Sequence, residues 1–173
     1  MSVKVAVVTG SNKGIGLAIV RALCKQYQGD VYLTSRDVGR GEEAVKSLSS
    51  EGLNPKFHQL DINDLSSITA AAAFFKEKYG GVDILINNAA ILFKEGDTTP
   101  FAVQAEVTLK TNFFATRDML THFLPLIKVR VETRTLVINK CSKLLKSKCA
   151  KFTETKEEPK KSQSSTCCQT KKH

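Results

Sequence analysis

The order of apolar runs in this 173-residue sequence predicts an α/β fold: a doubly wound parallel sheet covered by helices. Three observations carry that expectation. Short β-branched apolar runs have the character of strands buried on both faces, and segments of helical period separate them in strict alternation. A glycine-rich turn also stands where the first strand becomes the first helix. Such βαβ units close with right-handed crossovers.

Lys4–Thr9 (KVAVVT) is the first strand, and Ile15, Ala18, Ile19 and Ala22 then repeat at helical spacing to about Gln26. Asp30–Ser35 (DVYLTS) reads as the second strand and Gly41–Ser50 as a helix stopped near Gly52. Lys56–Leu60 is the third strand. Asp64 can cap a helix running to Tyr79, which Gly80 and Gly81 terminate. Val82–Ile86 (VDILI) is the fourth strand, and Thr111–Ile127 a long helix carrying Phe113, Phe114, Met119, Leu120, Phe123 and Leu124. No internal repeat of fixed period is visible.

Composition divides the chain in two. Residues 1–128 hold 14 Lys/Arg against 13 Asp/Glu, whereas residues 129–173 hold 12 against 4, so nearly all of the net +9 lies in the second piece. The second piece also has four of the five cysteines and one of the twelve aromatics, Phe152. The expected organisation is a nucleotide-binding unit over 1–128 and a divergent basic tail over 129–173, disordered beyond about Glu154. Leu144, Leu145, Cys149 and Phe152 allow one short amphipathic helix within it. The cysteines form no C-x₂-C pair and Cys167–Cys168 are adjacent, so a metal site is not expected. Basic charge without aromatic platforms reads as a solvated tail and not as a specific nucleic-acid surface. With 42% hydrophobic residues, no run near the roughly 20 that a membrane span needs, and a start (MSVKVAVVTG) unlike a signal peptide, the chain is expected to be soluble and cytoplasmic.

The glycine turn carries the chemistry. In Thr9-Gly10-Ser11-Asn12-Lys13-Gly14-Ile15-Gly16, Gly10 permits the tight turn and Gly14 lets a pyrophosphate approach the backbone. Gly16 lets the helix pack closely on the sheet. A glycine-rich loop alone is weak evidence; between a strand and a helix it predicts a dinucleotide on the helix N-terminus. An acidic residue about 20 positions on would select NAD. Ser35 and Arg36 stand there instead, and Arg36 offers a bidentate fork for a 2′-phosphate, with Lys13 as a second cation. NADPH is therefore expected over NADH, with Asp37 close enough to complicate the choice.

TGSNKGIG at Thr9–Gly16, Asp61 after the third strand, Asn87-Asn88-Ala89 after the fourth and Asn112 in the next helix together resemble the short-chain dehydrogenase/reductase family. GDVYLTSRDVGRGEEAV, KFHQLDINDLSSI and PFAVQAEVTLKTNFFATRDM are similar to its monomeric NADPH-dependent carbonyl reductases, from about Val3 to Lys128. Ala90 departs from the glycine that usually ends NNAG. The resemblance implies a Rossmann-type sheet with strand order 3-2-1-4-5-6-7, and hydride transfer from NADPH to a ketone, aldehyde or quinone. It implies further that Asp61 and Ile62 border the adenine and that Asn88 lines the ribose and orders the central strand. Asn112 would kink its helix and hold a water of the proton relay, and Gln104 would border the carbonyl substrate. Read by themselves, Asp61 is equally a turn or cap residue and Asn112 a polar residue beside a core helix.

The family's reaction uses a tyrosine as proton donor, with a lysine four residues later that lowers its pKa from about 10. A serine at the end of strand five positions the carbonyl. The three tyrosines here are followed at that spacing by Val31, Arg36 and Asp83, so the chain contains no Tyr-x-x-x-Lys. One alignment of LVINKCS puts Cys141 where the serine belongs; another sets Asn139–Glu158 against a later insertion. Neither supplies the relay. The expectation is a C-terminally truncated member, inactive or impaired as an enzyme, or a non-catalytic NADPH-binding or interaction module, or an unstable isoform. Its sheet would end at strand four or a weak fifth, leaving Val82–Ile86 as an apolar edge open to association.

Overall fold

The computed structural model describes residues 3–128 and 134–137. Five parallel strands form one sheet in the order β3-β2-β1-β4-β5. They are β1 (Val5–Val8), β2 (Asp30–Ser35), β3 (Lys56–Gln59), β4 (Ile84–Asn87) and β5 (Arg134–Val137). On one face α1 (Gly14–Gln26) and α2 (Val38–Ser50) enclose a core of Val8, Val20, Val31, Leu33, Ala44, Leu48 and Ile86. On the other, α3 (Leu65–Tyr79) and the segment from α4 (Phe101–Leu109) to α5 (Thr116–Phe123) close over Val5, Val7, Phe75, Leu85, Met119 and Phe123. Strand order reverses between β1 and β4, the switch point where open α/β sheets take ligands.

The doubly wound sheet is as the sequence predicts, but several elements differ from expectation. In α1 the buried face is Gly16 and Val20, whereas Ile15 is 51% exposed and Ala18 and Ala22 also face outward. A Cβ on Gly16 would stand 2.4 Å from Asn88 Nδ2 and 2.7 Å from Ser11 Cα, so this contact fixes the helix rotation and overrides the Ile15 stripe. Helix α2 begins at Val38 and not Gly41, because the Asp37 carboxylate accepts from Arg40 N–H at 2.8 Å and caps it. Gly41 lies inside that helix because a Cβ there would stand 2.1 Å from the Phe57 ring. Asp64 caps α3 as expected, accepting from Ser66 N–H at 2.9 Å, and Gly80 ends it in the left-handed conformation at φ 71°.

The long helix starts ten residues earlier than Thr111. Phe101–Leu109 was hidden from periodicity because none of its residues is buried, and Pro100 at its start is the only strong helix signal. Its continuation Lys110–Ala115 is a π-helical turn, followed by α5 and a 3₁₀ turn at Leu124–Leu126. Met119 and Phe123 are fully buried, but Phe113, Phe114 and Leu124 are exposed.

Strand four is shorter and later than Val82–Ile86, and it is not an open edge. Val82 makes one parallel bridge to Ile127, and Asp83 uses its carboxylate to accept from Val5 N–H at 2.8 Å. Beyond them β5 pairs Ile84 with Arg134 through Asn87 with Val137, while β1 pairs the other flank. Both ladders of β4 are satisfied, which removes the basis for association through that edge. This fifth strand falls inside the segment expected as tail. The remainder of 129–173, with Cys141, the 144–152 segment and Cys167–Cys168, lies outside the described residues.

Candidate dinucleotide cleft

The carboxyl ends of β1, β2, β3 and β4 are stitched together by buried hydroxyls and one amide. Ser11 lies just after β1, and its Oγ donates to Val8 O at 2.8 Å and accepts from Thr34 N–H at 3.0 Å. Ser11 N–H donates to Thr34 O at 2.9 Å, and Thr34 Oγ1 donates to Val8 O at 3.0 Å. These bonds fix the glycine turn against the end of β2, where Arg36 follows. Leu60 N–H donates to Ser35 O at 2.9 Å and carries the alignment on to β3. On the other side Asn88 Nδ2 donates to Thr9 O at 2.9 Å and to Gly10 O at 3.0 Å. Thr9 Oγ1 accepts from Asn88 N–H and Ala89 N–H, each at 3.0 Å.

Thr9, Ser11 and Thr34 were not singled out in the sequence. The signal was there: hydroxyl residues at the ends of otherwise apolar buried strands, where only a hydrogen-bonding role offsets burial.

Gly14 has φ 60° and no heavy atom within 4 Å of where a Cβ would stand, so the first turn of α1 has an open approach. Lys13, the residue before that helix, makes no side-chain cap, and the helix carries no acidic group in its first turn. The free N–H groups and positive helix end remain for an anion. Gly10 has φ 57°, and a Cβ there would stand 2.8 Å from the Ala89 Cβ. Asn12 is half-buried in the turn, while Lys13 and Ile15 are exposed.

Arg36 is exposed one residue beyond β2, and its backbone carbonyl accepts from Gln59 Nε2 at 3.2 Å. Among the described residues no carboxylate pairs with Arg36 or Lys13. Asp37, the residue that complicated the cofactor choice, is occupied as the α2 cap. Asp61 is half-buried; its Oδ1 accepts from Asn63 N–H at 2.9 Å and its N–H donates to Ser67 Oγ at 3.0 Å. It is thus a turn residue, and among the described residues its second carboxylate oxygen accepts no hydrogen bond. The Ile62 side chain is packed in the core at 7% exposure.

Asn112 lies in the π turn and clamps the loop after β4. Its Oδ1 accepts from Ile91 N–H and its Nδ2 donates to Ile91 O, each at 2.9 Å. Gln104 is turned to the same loop, with Nε2 donating to Thr99 O at 2.7 Å. Thr111 Oγ1 donates to Asn63 Oδ1 at 3.2 Å and links the π turn to the loop after β3. The glycine turn, Arg36, Asp61 and Asn88 therefore lie along one end of the sheet, while Asn112 and Gln104 frame the loop beyond β4.

The family model for short chain dehydrogenases matches residues 4–153. The chain belongs to that family. As a short-chain dehydrogenase its likeness extends past Lys128, where the quoted motifs end, and takes in β5. It is 56% identical over 163 residues to carbonyl reductase (NADPH) 1 of Homo sapiens, covering 90% of this chain and 59% of that one. To the protein of the same name in Macaca fascicularis it is 63% identical over 126 residues, covering 73% and 46%. The chain thus spans less than two thirds of these relatives' length. Among solved structures it is similar to a metagenomic short-chain oxidoreductase in complex with NADP, with TM-score 0.61 and 31% identity. That match covers 71% of this chain and 56% of the other. Menthone neomenthol reductase from Mentha piperita matches with TM-score 0.68 and 27% identity, over 79% and 60% of the two chains.

Proposed function

We propose that residues 3–128 form an NADPH site of carbonyl-reductase type, and that this chain by itself binds the cofactor without turning over a carbonyl. The observation that carries the reading is the pairing of an open α1 N-terminus at Gly14 with two cations, Lys13 and Arg36, that no carboxylate neutralises among the described residues. The fit is specific in kind: a pyrophosphate on the helix end and a 2′-phosphate on the Arg36 fork both match the donor set. The names of the similar carbonyl reductases, which include NADPH, support the same choice.

Bound NADPH supplies a hydride. Toward it, the α1 N–H groups would hold the pyrophosphate, Arg36 and Lys13 would discriminate the phosphorylated ribose, and the free Asp61 oxygen could accept from the adenine amino group. Asn88 ties the β4 end to the β1 end and would line the ribose. Asn112 holds the loop after β4, and Gln104 borders the place where a ketone, aldehyde or quinone would enter. No residue of this chain combines a phenol and an ammonium at the four-residue spacing that a proton donor of this family needs. That favours cofactor binding without catalysis over carbonyl reduction by the chain alone.

Arg36→Gln tests the assignment. Loss of a charge-assisted 2′-phosphate contact is expected to weaken NADPH binding by about tenfold or more, equivalent to roughly 1.4 kcal/mol or more, and to leave NADH binding unchanged. Equal weakening of both cofactors would count against the role of Arg36. Carbonyl turnover by the wild-type chain would overturn the non-catalytic part.

A further inference from the structure

At the amino end of the sheet, opposite the dinucleotide cleft, a second group of charged and phenolic side chains borders an open surface cleft of about 430 Å³. It is lined by Val3 ahead of β1, Asp30 at the start of β2, Lys56 at the start of β3, and Lys78 and Tyr79 at the end of α3. Asp30 Oδ2 accepts from Lys56 Nζ and from Tyr79 Oη, each at 2.5 Å. Tyr79 Oη lies 3.0 Å from Tyr32 Oη, which in turn accepts from Lys78 Nζ at 3.2 Å.

The charges do not balance. Asp30 is consumed by Lys56, and among the described residues no carboxylate lies within ion-pair distance of Lys78. The Lys78 ammonium instead stands 5.2 Å from the Phe74 ring centre, 5.7 Å from Tyr79 and 6.0 Å from Tyr32. These ring faces hold the ammonium in place by cation–π attraction without neutralising its charge. Burial pushes the Asp30 carboxyl up, but hydrogen bonds from Lys56 and Tyr79 and the charges of Lys56 and Lys78 outweigh it and hold the group below its ordinary range. Asp30 therefore stays ionised at neutral pH and saturates only one of the two ammonium groups. Burial, with the bonds to Asp30 and Tyr32, drives the Tyr79 phenol upward, so it remains a neutral donor to Asp30.

We propose that this cleft is an oxyanion site, which takes a small phosphate- or carboxylate-bearing ligand on Lys78 and on the remaining proton of Lys56, whose other two go to Asp30 and, at 3.5 Å, to Tyr79 Oη. The site shares no residue with the dinucleotide cleft, and the inference does not depend on what that cleft binds.

The chain has no tryptophan and three tyrosines, of which Tyr32 and Tyr79 both belong to this cluster. Tyrosine fluorescence of the full chain therefore reads the site directly. Titration with inorganic phosphate, and separately with acetate, at constant ionic strength set by chloride is expected to give a saturable change, and the two arms separate phosphate from carboxylate ligands. Lys78→Gln is expected to weaken the apparent affinity at least tenfold, Lys78→Arg to retain it, and Lys13→Gln at the glycine turn to leave it unchanged. A linear, non-saturating quench with both anions would overturn the proposal, as would a response that survives Lys78→Gln or disappears in Lys13→Gln.

Discussion

At Gly16 one hydrogen atom stands where the geometry has no room for a methyl group. A Cβ there would meet Asn88 Nδ2, Ser11 Cα and Gly10 O at 2.4, 2.7 and 2.9 Å, and two of those three atoms are backbone. Gly16→Ala must therefore shift α1 or break the Asn88 bridge. A loss of about 1–3 kcal/mol is expected in a urea unfolding curve, together with weaker cofactor binding. His58 makes a second residue-scale prediction. It is half-buried and stacks on Phe74 at 4.4 Å between ring centres. Burial, with a smaller push from the Lys78 charge, lowers its pKa below the ordinary value of 6.5. The fold thus prefers the neutral ring, so its contribution is complete above pH 6.5 and is lost as pH falls through the lowered pKa. Melting temperature measured against pH should decline below 6.5 in the wild type, and His58→Phe should remove that component.

The elements show which parts of the structure were legible in sequence. Strand β2 and the ends of α1 and α3 follow directly from β-branched runs, Asp64 and Gly80, because local chemistry alone fixes them. The face of α1 does not follow, because its rotation is set by Gly16 against Asn88, a partner 72 positions away. The start of α4 was illegible for a related reason: an exposed helix leaves no periodic trace. The π turn at Lys110–Ala115 likewise has no pattern of its own. It inserts where Asn112 reaches across to Ile91, in keeping with the clustering of π turns at functional sites. The motifs single out the glycine turn, Arg36, Asp61 and Asn88, which the fold places along one end of the sheet, but not the hydroxyls of Thr9, Ser11 and Thr34 that hold that end together. Asn112→Ala deletes both bonds to Ile91 and leaves that backbone pair without a side-chain partner. About 1–3 kcal/mol of stability should be lost in denaturant unfolding, and protection of the Ile91 amide from hydrogen exchange should fall.

For the whole molecule, five parallel strands and two helical layers form the half of a short-chain dehydrogenase that this chain spans. The switch point between β1 and β4 places the glycine turn at the centre of that half, with Arg36 on one side and the Asn112 clamp on the other. The chain spans 59% of its human relative, and its tyrosines all lie within residues 27–79, away from any lysine at the spacing the reaction uses. The proposed reading is cofactor recognition without carbonyl protonation, because the sequence contains no Tyr-x-x-x-Lys. A cofactor that binds only the folded chain must also stabilise it, by about 2.7 kcal/mol at a concentration one hundred times the dissociation constant. The measurement that tests this account most directly is a fluorescence titration of the purified chain with NADPH, with NADH run beside it. The account predicts saturable binding that favours NADPH. A folded chain that binds neither cofactor, or that prefers NADH, would contradict it.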